Sequence, residues 1–130
     1  MTLNDPLANV LSHVLNYERT GNKEVITKNN SVLIKGVLRL MQDNGYLGSY
    51  EEVEDSKGDL LRIHLIGVIN NCNVIKPRFR VGKDGFERYE QRFLPSKDFG
   101  IIVVSTSKGL MTHKQAKEQG VGGTLISYCY

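Results

Sequence analysis

Cysteine is scarce in this 130-residue chain, and its placement excludes more than it suggests. The only two, Cys72 and Cys129, lie far apart in sequence with no His or Cys near them at metal-ligand spacing. His13, His64 and His113 do not cluster either, so the four ligands of a structural zinc site are not in view. In a cytoplasmic protein such cysteines read as buried thiols packing as small hydrophobes. Long apolar runs are missing: none approaches the roughly 20 residues of a membrane-spanning helix. The opening MTLNDPLANV has no basic region followed by an apolar stretch, so no signal peptide is expected and the chain reads as cytoplasmic. There is no internal repeat and no low-complexity tail.

Catalytic signatures are also absent. There is no G-x-x-x-x-G-K-[ST] phosphate loop, no G-x-G-x-x-G and no H-E-x-x-H. Ser105 or Ser107 with His113 and Asp98 supplies the residue types of a hydrolase triad, yet no G-x-S-x-G elbow surrounds either serine. Glu51, Glu52 and Glu54 sit beside an Asp-Ser-Lys-Gly turn and read as an exposed hairpin end rather than as an acid pair. No enzyme activity and no cofactor or metal is expected.

What is present is an uneven charge. The net charge is +3. Residues 1–70 hold 7 Lys/Arg against 9 Asp/Glu, a net of −2, whereas residues 71–130 hold 10 against 5, a net of +5. A basic C-terminal half suits a polyanion docking on one side, although solvated charges distributed by chance would look the same.

The apolar periodicity organises the first half as helix, strand, helix, strand, strand. Asn4 or Asp5 can cap a helix with Pro6 in its first turn and Leu7, Val10, Leu11 and Val14 on one face, stopped near Gly21. A β-branched run, Glu24 to Thr27, predicts a short strand. Asn30 or Ser31 opens a second helix, with Val37, Leu38 and Met41 inward and Gly45 at its end. Tyr46 to Glu54 and Leu60 to Ile66 flank the Asp55–Gly58 turn and predict a hairpin. A boundary is expected near residue 70.

The second half begins with Lys76-Pro77-Arg78-Phe79-Arg80, extended and basic, because Pro77 disfavours helix in the residue before it. Phe79 between two arginines is a pattern that RNA surfaces use for stacking, although most charge runs are merely solvated faces. Phe86, Tyr89 and Phe93 predict a short helix stopped at Pro95, and Ile101 to Val104 a strand buried on both faces. Thr112 with Gln115 fits a capping box for a helix through Gln119, with Gly120 as its stop. Gly122 and Gly123 lead into a last strand, Thr124 to Tyr130.

Between the buried strand and that helix lies Ser105-Thr106-Ser107-Lys108-Gly109. Hydroxyls both donate and accept, so they can read base edges and 2′-hydroxyls; Lys108 attracts phosphate and Gly109 lets backbone approach closely. By composition alone the segment is equally a polar connection. Gly122 and Gly123 similarly leave room for another backbone or a base, or simply make a tight turn.

These tracts resemble a known family. FGIIVVSTSKGLMTHKQAKEQGVGG, residues 99 to 123, resembles the C-terminal signature of small-subunit ribosomal protein eight. DPLANVLSHV resembles that family's opening helix, and RLMQDNGYLGSYEEVED its second helix and hairpin. IKPRF, RFLPSKDFG and the final SYCY are similar to its archaeal and eukaryotic branch. The resemblance spans essentially the whole chain. It implies an α+β fold of two small domains, 1–70 and 71–130, packed together with helices outside and strands between them. It implies a ribosome-bound primary binder of the central domain of small-subunit ribosomal RNA, contributing to assembly and translation. Neighbouring small-subunit proteins are implied partners, and some members also bind their own messenger RNA. No membrane is involved. The rival function from another class is a protein–protein adaptor using the same basic C-terminal surface.

The family's RNA-contacting residues map onto Ser105, Thr106, Ser107, Lys108 and Gly109, with Thr112, His113 and Lys114 following and with Gly122 and Gly123. Ser105, Thr106 and Ser107 are expected to read the RNA, and Lys76, Arg78, Lys108 and Lys114 to meet phosphates. Asp5, Lys28 and Ser31 carry the family's N-terminal contacts. The chain departs from the archaeal pattern at Asn29, Val32, Asn71 and Asn73, losing basic residues, and carries Thr124 where relatives often have Glu or Arg. Each lost phosphate contact lowers the salt dependence of binding by about one unit of slope.

Overall fold

A computed structural model describes residues 6–27, 32–55, 58–76, 78–96 and 99–130. It is an α+β protein with antiparallel sheets, and its contacts divide into Met1–Asn71 and Cys72–Tyr130. The expected caps at Asn4, Asp5, Asn30 and Ser31 lie outside the described residues.

In the first unit, α1 (Pro6–Arg19) and α2 (Val32–Asp43) pack on a sheet of β1 (Glu24–Thr27), β2 (Leu47–Asp55) and β3 (Gly58–Leu65), ordered β1-β3-β2. Leu7, Val10, Leu11 and Val14 recur at three- and four-residue spacing, so one face of α1 is buried throughout. Ile34, Val37, Leu38 and Met41 do the same for α2. In β3 the two-residue period buries Leu61, Ile63 and Leu65 and turns Arg62 and His64 outward. There Arg62 pairs with Glu24 of β1 at 3.1 Å and His64 lies 3.7 Å from Glu51 of β2. These are the register partners Glu24↔His64 and Glu51↔Arg62 engaged diagonally.

Glu18, late on α1, faces a small hollow formed with Lys23, Leu65 and Gly67. Burial lifts its carboxyl pKa above the usual 4.5, outweighing a hydrogen bond from the Gly67 backbone, which acts downward. The folded state therefore holds this proton more tightly than the unfolded chain. Its stabilising share is complete below the usual carboxylate range and disappears as pH rises through the raised value. Glu18→Gln is accordingly expected to raise the melting temperature at neutral pH, with the two proteins converging near pH 4. An equal gap at both pH values would contradict this assignment.

The second unit is built on β6 (Ile101–Thr106) and β8 (Gly123–Cys129). The sheet runs β4 (Cys72–Val74), β8, β6, β7 (Gly109–Thr112), and β5 (Arg80–Val81) also pairs with β8. Strands β4, β5 and β7 have no counterpart among the strands expected from the sequence. Each has only 2 to 4 residues and is held by its partner strand. Ile101 to Val104 are all buried, as expected for a central strand. Helices α3 (Phe86–Phe93) and α4 (His113–Gln119) close a core of Ile75, Val81, Phe86, Leu94, Ile102, Val104, Met111, Ala116 and Leu125. Cys72 and Cys129, distant in sequence, are direct register partners and both buried as thiols.

Helix α4 starts and stops as its sequence dictates. The Thr112 hydroxyl accepts from Gln115 N–H at 3.3 Å, and Gln115 Oε1 accepts from Thr112 N–H at 3.0 Å. Gly120 then takes φ 68°, a left-handed turn costly for a residue with Cβ, and its N–H and that of Val121 bond back to the Lys117 and Ala116 carbonyls. Among the described residues no helix is long and apolar enough to cross a membrane.

Candidate nucleic-acid interface

The polar segment expected as one loop is divided between two strands. Ser105 and Thr106 end β6, Gly109 begins β7, and only Ser107 and Lys108 form the turn. No described non-glycine residue has positive φ, so the mirror-image turns that need it at both central positions are not used. Gly109 at φ 110° supplies the reversal instead. The Thr106 hydroxyl donates to Gly109 O at 2.8 Å and accepts from Lys108 N–H at 3.1 Å. That hydroxyl thus closes the hairpin, while Thr106 stays half-exposed and lines the hollow beside the turn. Ser105, Ser107 and Lys108 remain exposed.

Register aligns further groups with Ser105. It faces Leu110 on β7 and Thr124 on β8, and Thr124 faces Arg80 on β5. Directly opposed residues project from the same side of a sheet, so Ser105, Thr124 and Arg80 form one polar row. They rim a shallow hollow of about 530 Å³ whose floor includes Gly82, Gly122 and Gly123. Gly122 and Gly123 are required by neighbouring backbone. A Cβ on Gly122 would lie 2.3 Å from Val81 O, and one on Gly123 2.3 Å from Ser105 O. The room that the sequence left for either a base or a backbone is filled by this chain's own backbone.

Two expected contacts point inward. Thr112 is only 4% exposed and its hydroxyl is used as the helix cap. His113 is 0% exposed. Its Nδ1 accepts the Ile102 N–H at 3.1 Å, and its Nε2 lies 3.3 Å from Glu90 Oε1 of α3. Being the first residue of α4, it turns its ring under the helix against β6, so its side chain does not belong to the exposed face. Phe79 is half-buried against Tyr89 (5.3 Å), with the Arg92 guanidinium 5.3 Å from its centre. Packing on α3, not flanking by Arg78 and Arg80, decides its environment.

Lys76, Arg78 and Lys114 are exposed, and none of the three lines the hollow. Asp5, Lys28 and Ser31 lie outside the described residues. Arg80 and Thr124 were not among the expected contacts. The sequence marked Arg80 only as part of the basic Lys76–Arg80 tract and Thr124 only as a departure beside the paired glycines. The pairing of the two-residue β5 with β8 brings them into line. Among the described residues no group of His, Cys, Asp and Glu is arranged to hold a metal ion.

The exposed face thus combines two free-standing serines on a braced hairpin, a threonine and an arginine in register, and flanking lysines. That donor and cation set suits hydroxyl- and phosphate-rich ligands. The family profile described as Ribosomal protein S8 matches residues 5–130. The chain therefore belongs to the ribosomal protein S8 family, RNA-binding components of the small ribosomal subunit that serve translation.

Proposed function

We propose that this protein is a primary binder of the central domain of small-subunit ribosomal RNA, and that it contributes to subunit assembly. The row of Ser105, Thr124 and Arg80, together with Ser107 and Lys108 of the turn, is the reading surface; Lys76, Arg78 and Lys114 supply phosphate contacts. Gly109, Gly122 and Gly123 serve by backbone geometry. The single observation that carries this reading is the register. It brings two strand hydroxyls and a guanidinium into line beside an exposed seryl-lysyl turn. Hydroxyls fixed on paired strands lose little entropy on binding, which favours shape-specific recognition. Neighbouring small-subunit proteins cover the slightly acidic N-terminal half, and the same face serves any binding of the protein's own messenger RNA.

The test is a filter-binding titration against a central-domain RNA fragment over a salt series, with a scrambled-loop RNA beside it. Ser105→Ala/Ser107→Ala is expected to weaken binding by about 1–3 kcal/mol, one or two lost hydrogen bonds, at an unchanged salt slope. Arg80→Ala should lower the slope by about one unit instead. Equal binding to both RNAs would reject the reading and favour an adaptor that needs no RNA.

A further inference from the structure

His113 is the most deeply buried polar side chain described in the second unit, and RNA contact does not account for it. Its surroundings make sense when followed along β6. Val103 pairs with Thr112, the last residue of β7. At Ile102 the neighbouring chain has already turned into α4, so the Ile102 N–H on that side has no strand carbonyl to meet. A buried N–H without an acceptor costs roughly 1–3 kcal/mol. The imidazole occupies that place, and Nδ1 accepts the bond that a longer β7 would have taken. An accepting Nδ1 requires the neutral ring to carry its hydrogen on Nε2.

Nε2 faces Glu90, which is 2% exposed, at 3.3 Å, an electrostatic contact and not a well-aligned hydrogen bond. The same carboxylate oxygen bonds Lys117, one turn further along α4. One acid on α3 therefore takes two residues of α4. A carboxylate beside Nε2 favours the ring orientation that leaves Nδ1 turned toward Ile102. The four-residue β7 is anchored at one end by the Thr106-braced turn and at the other by the start of α4.

Resting on the RNA-binding reading above, we infer that His113 is a positioning residue for the RNA surface. It substitutes for a missing strand partner of β6, held in one orientation by Glu90 and Lys117, and so keeps the β6–β7 hairpin and its serines in register.

The wild-type protein offers the first test. A long-range 1H–15N spectrum should show His113 with an unprotonated Nδ1 and a coupling across the hydrogen bond to the Ile102 amide. A protonated Nδ1 would overturn the inference without reference to RNA. Two variants then separate the ring's contacts. Asparagine places a carbonyl oxygen near the Nδ1 position but does not reach Glu90, and glutamine does the reverse. His113→Gln should speed hydrogen exchange at Ile102 and along the β6–β7 ladder about tenfold or more, the loss of one buried bond. It should also weaken RNA binding by a similar factor at the wild-type salt slope. His113→Asn should restore both to within about threefold. Equal effects of the two variants, or none, would reduce His113 to a packing residue and refute the inference. If the wild type fails to bind the RNA, the proposed function fails, and the spectrum and exchange data still decide the positioning role.

Discussion

Gly123→Ala is expected to destabilise the second unit by about 3 kcal/mol or more and to abolish tight RNA binding. The added Cβ would lie 2.3 Å from Ser105 O and 2.9 Å from Val104 Cγ1, inside the distance that real contacts keep. Relief requires β8 to move away from β6 where Ser105 pairs with Thr124. Overpacking alone costs typically 1–3 kcal/mol, and each ladder hydrogen bond stretched beyond range adds about 1 kcal/mol. The displaced strand carries Thr124, whose partner is Arg80, so the polar row loses its alignment together with its support. Urea unfolding and filter binding read the two effects. Gly82→Ala is the control, because nothing lies within 4 Å of its Cβ position although it borders the same hollow. If both variants behave like wild type, β6 and β8 are not packed backbone to backbone at this point.

Phe86→Ala should cost about 3–5 kcal/mol, a large part of the 5–15 kcal/mol that typically holds a domain folded. Phe86 is 1% exposed and heads the largest fully buried side chains, placed among Val81, Leu94, Met111 and Ala116. Removing its ring leaves a cavity between α3 and the sheet that rigid backbone cannot close. The urea midpoint should fall without a change in slope, the signature of lost stability rather than a changed unfolded state. Below that midpoint the RNA affinity should stay near wild type, because Phe86 is not among the residues of the exposed row. Weak binding by a still-folded variant would mean that the core sets the surface geometry more tightly than the register implies. A loss under about 1 kcal/mol would mean that the site collapses around the missing ring.

Much of the architecture could be read locally. The spacing of Leu7, Val10, Leu11 and Val14 defines a helical face whatever else surrounds it, and β1 begins and ends where its β-branched run does. The box of Thr112 and Gln115 is formed by residues three apart, so its geometry needs nothing from elsewhere in the chain. The same holds for the stop at Gly120. The candidate site was less legible. The Ser105–Gly109 tract drew notice for its composition, but composition did not show that Thr106 braces the hairpin while its two neighbours stay exposed. Short strands such as Arg80–Val81 hold no pattern of their own; pairing with β8 creates them, and with them the place of Arg80.

The amino-acid sequence by itself determined the helices, the long strands, the basic second half and the absence of catalytic and metal chemistry motifs. Each depends on residue spacing or residue type within a few turns of chain. Only the tertiary structure decided which polar residues face outward. His113 and Thr112 look like surface residues at the start of a helix, yet the meeting of α3, α4 and β6 buries one and occupies the other. Burial and register depend on partners tens of residues away. An imidazole that finds an orphaned amide on one side and a carboxylate on the other is drawn inward by contacts that local sequence does not contain.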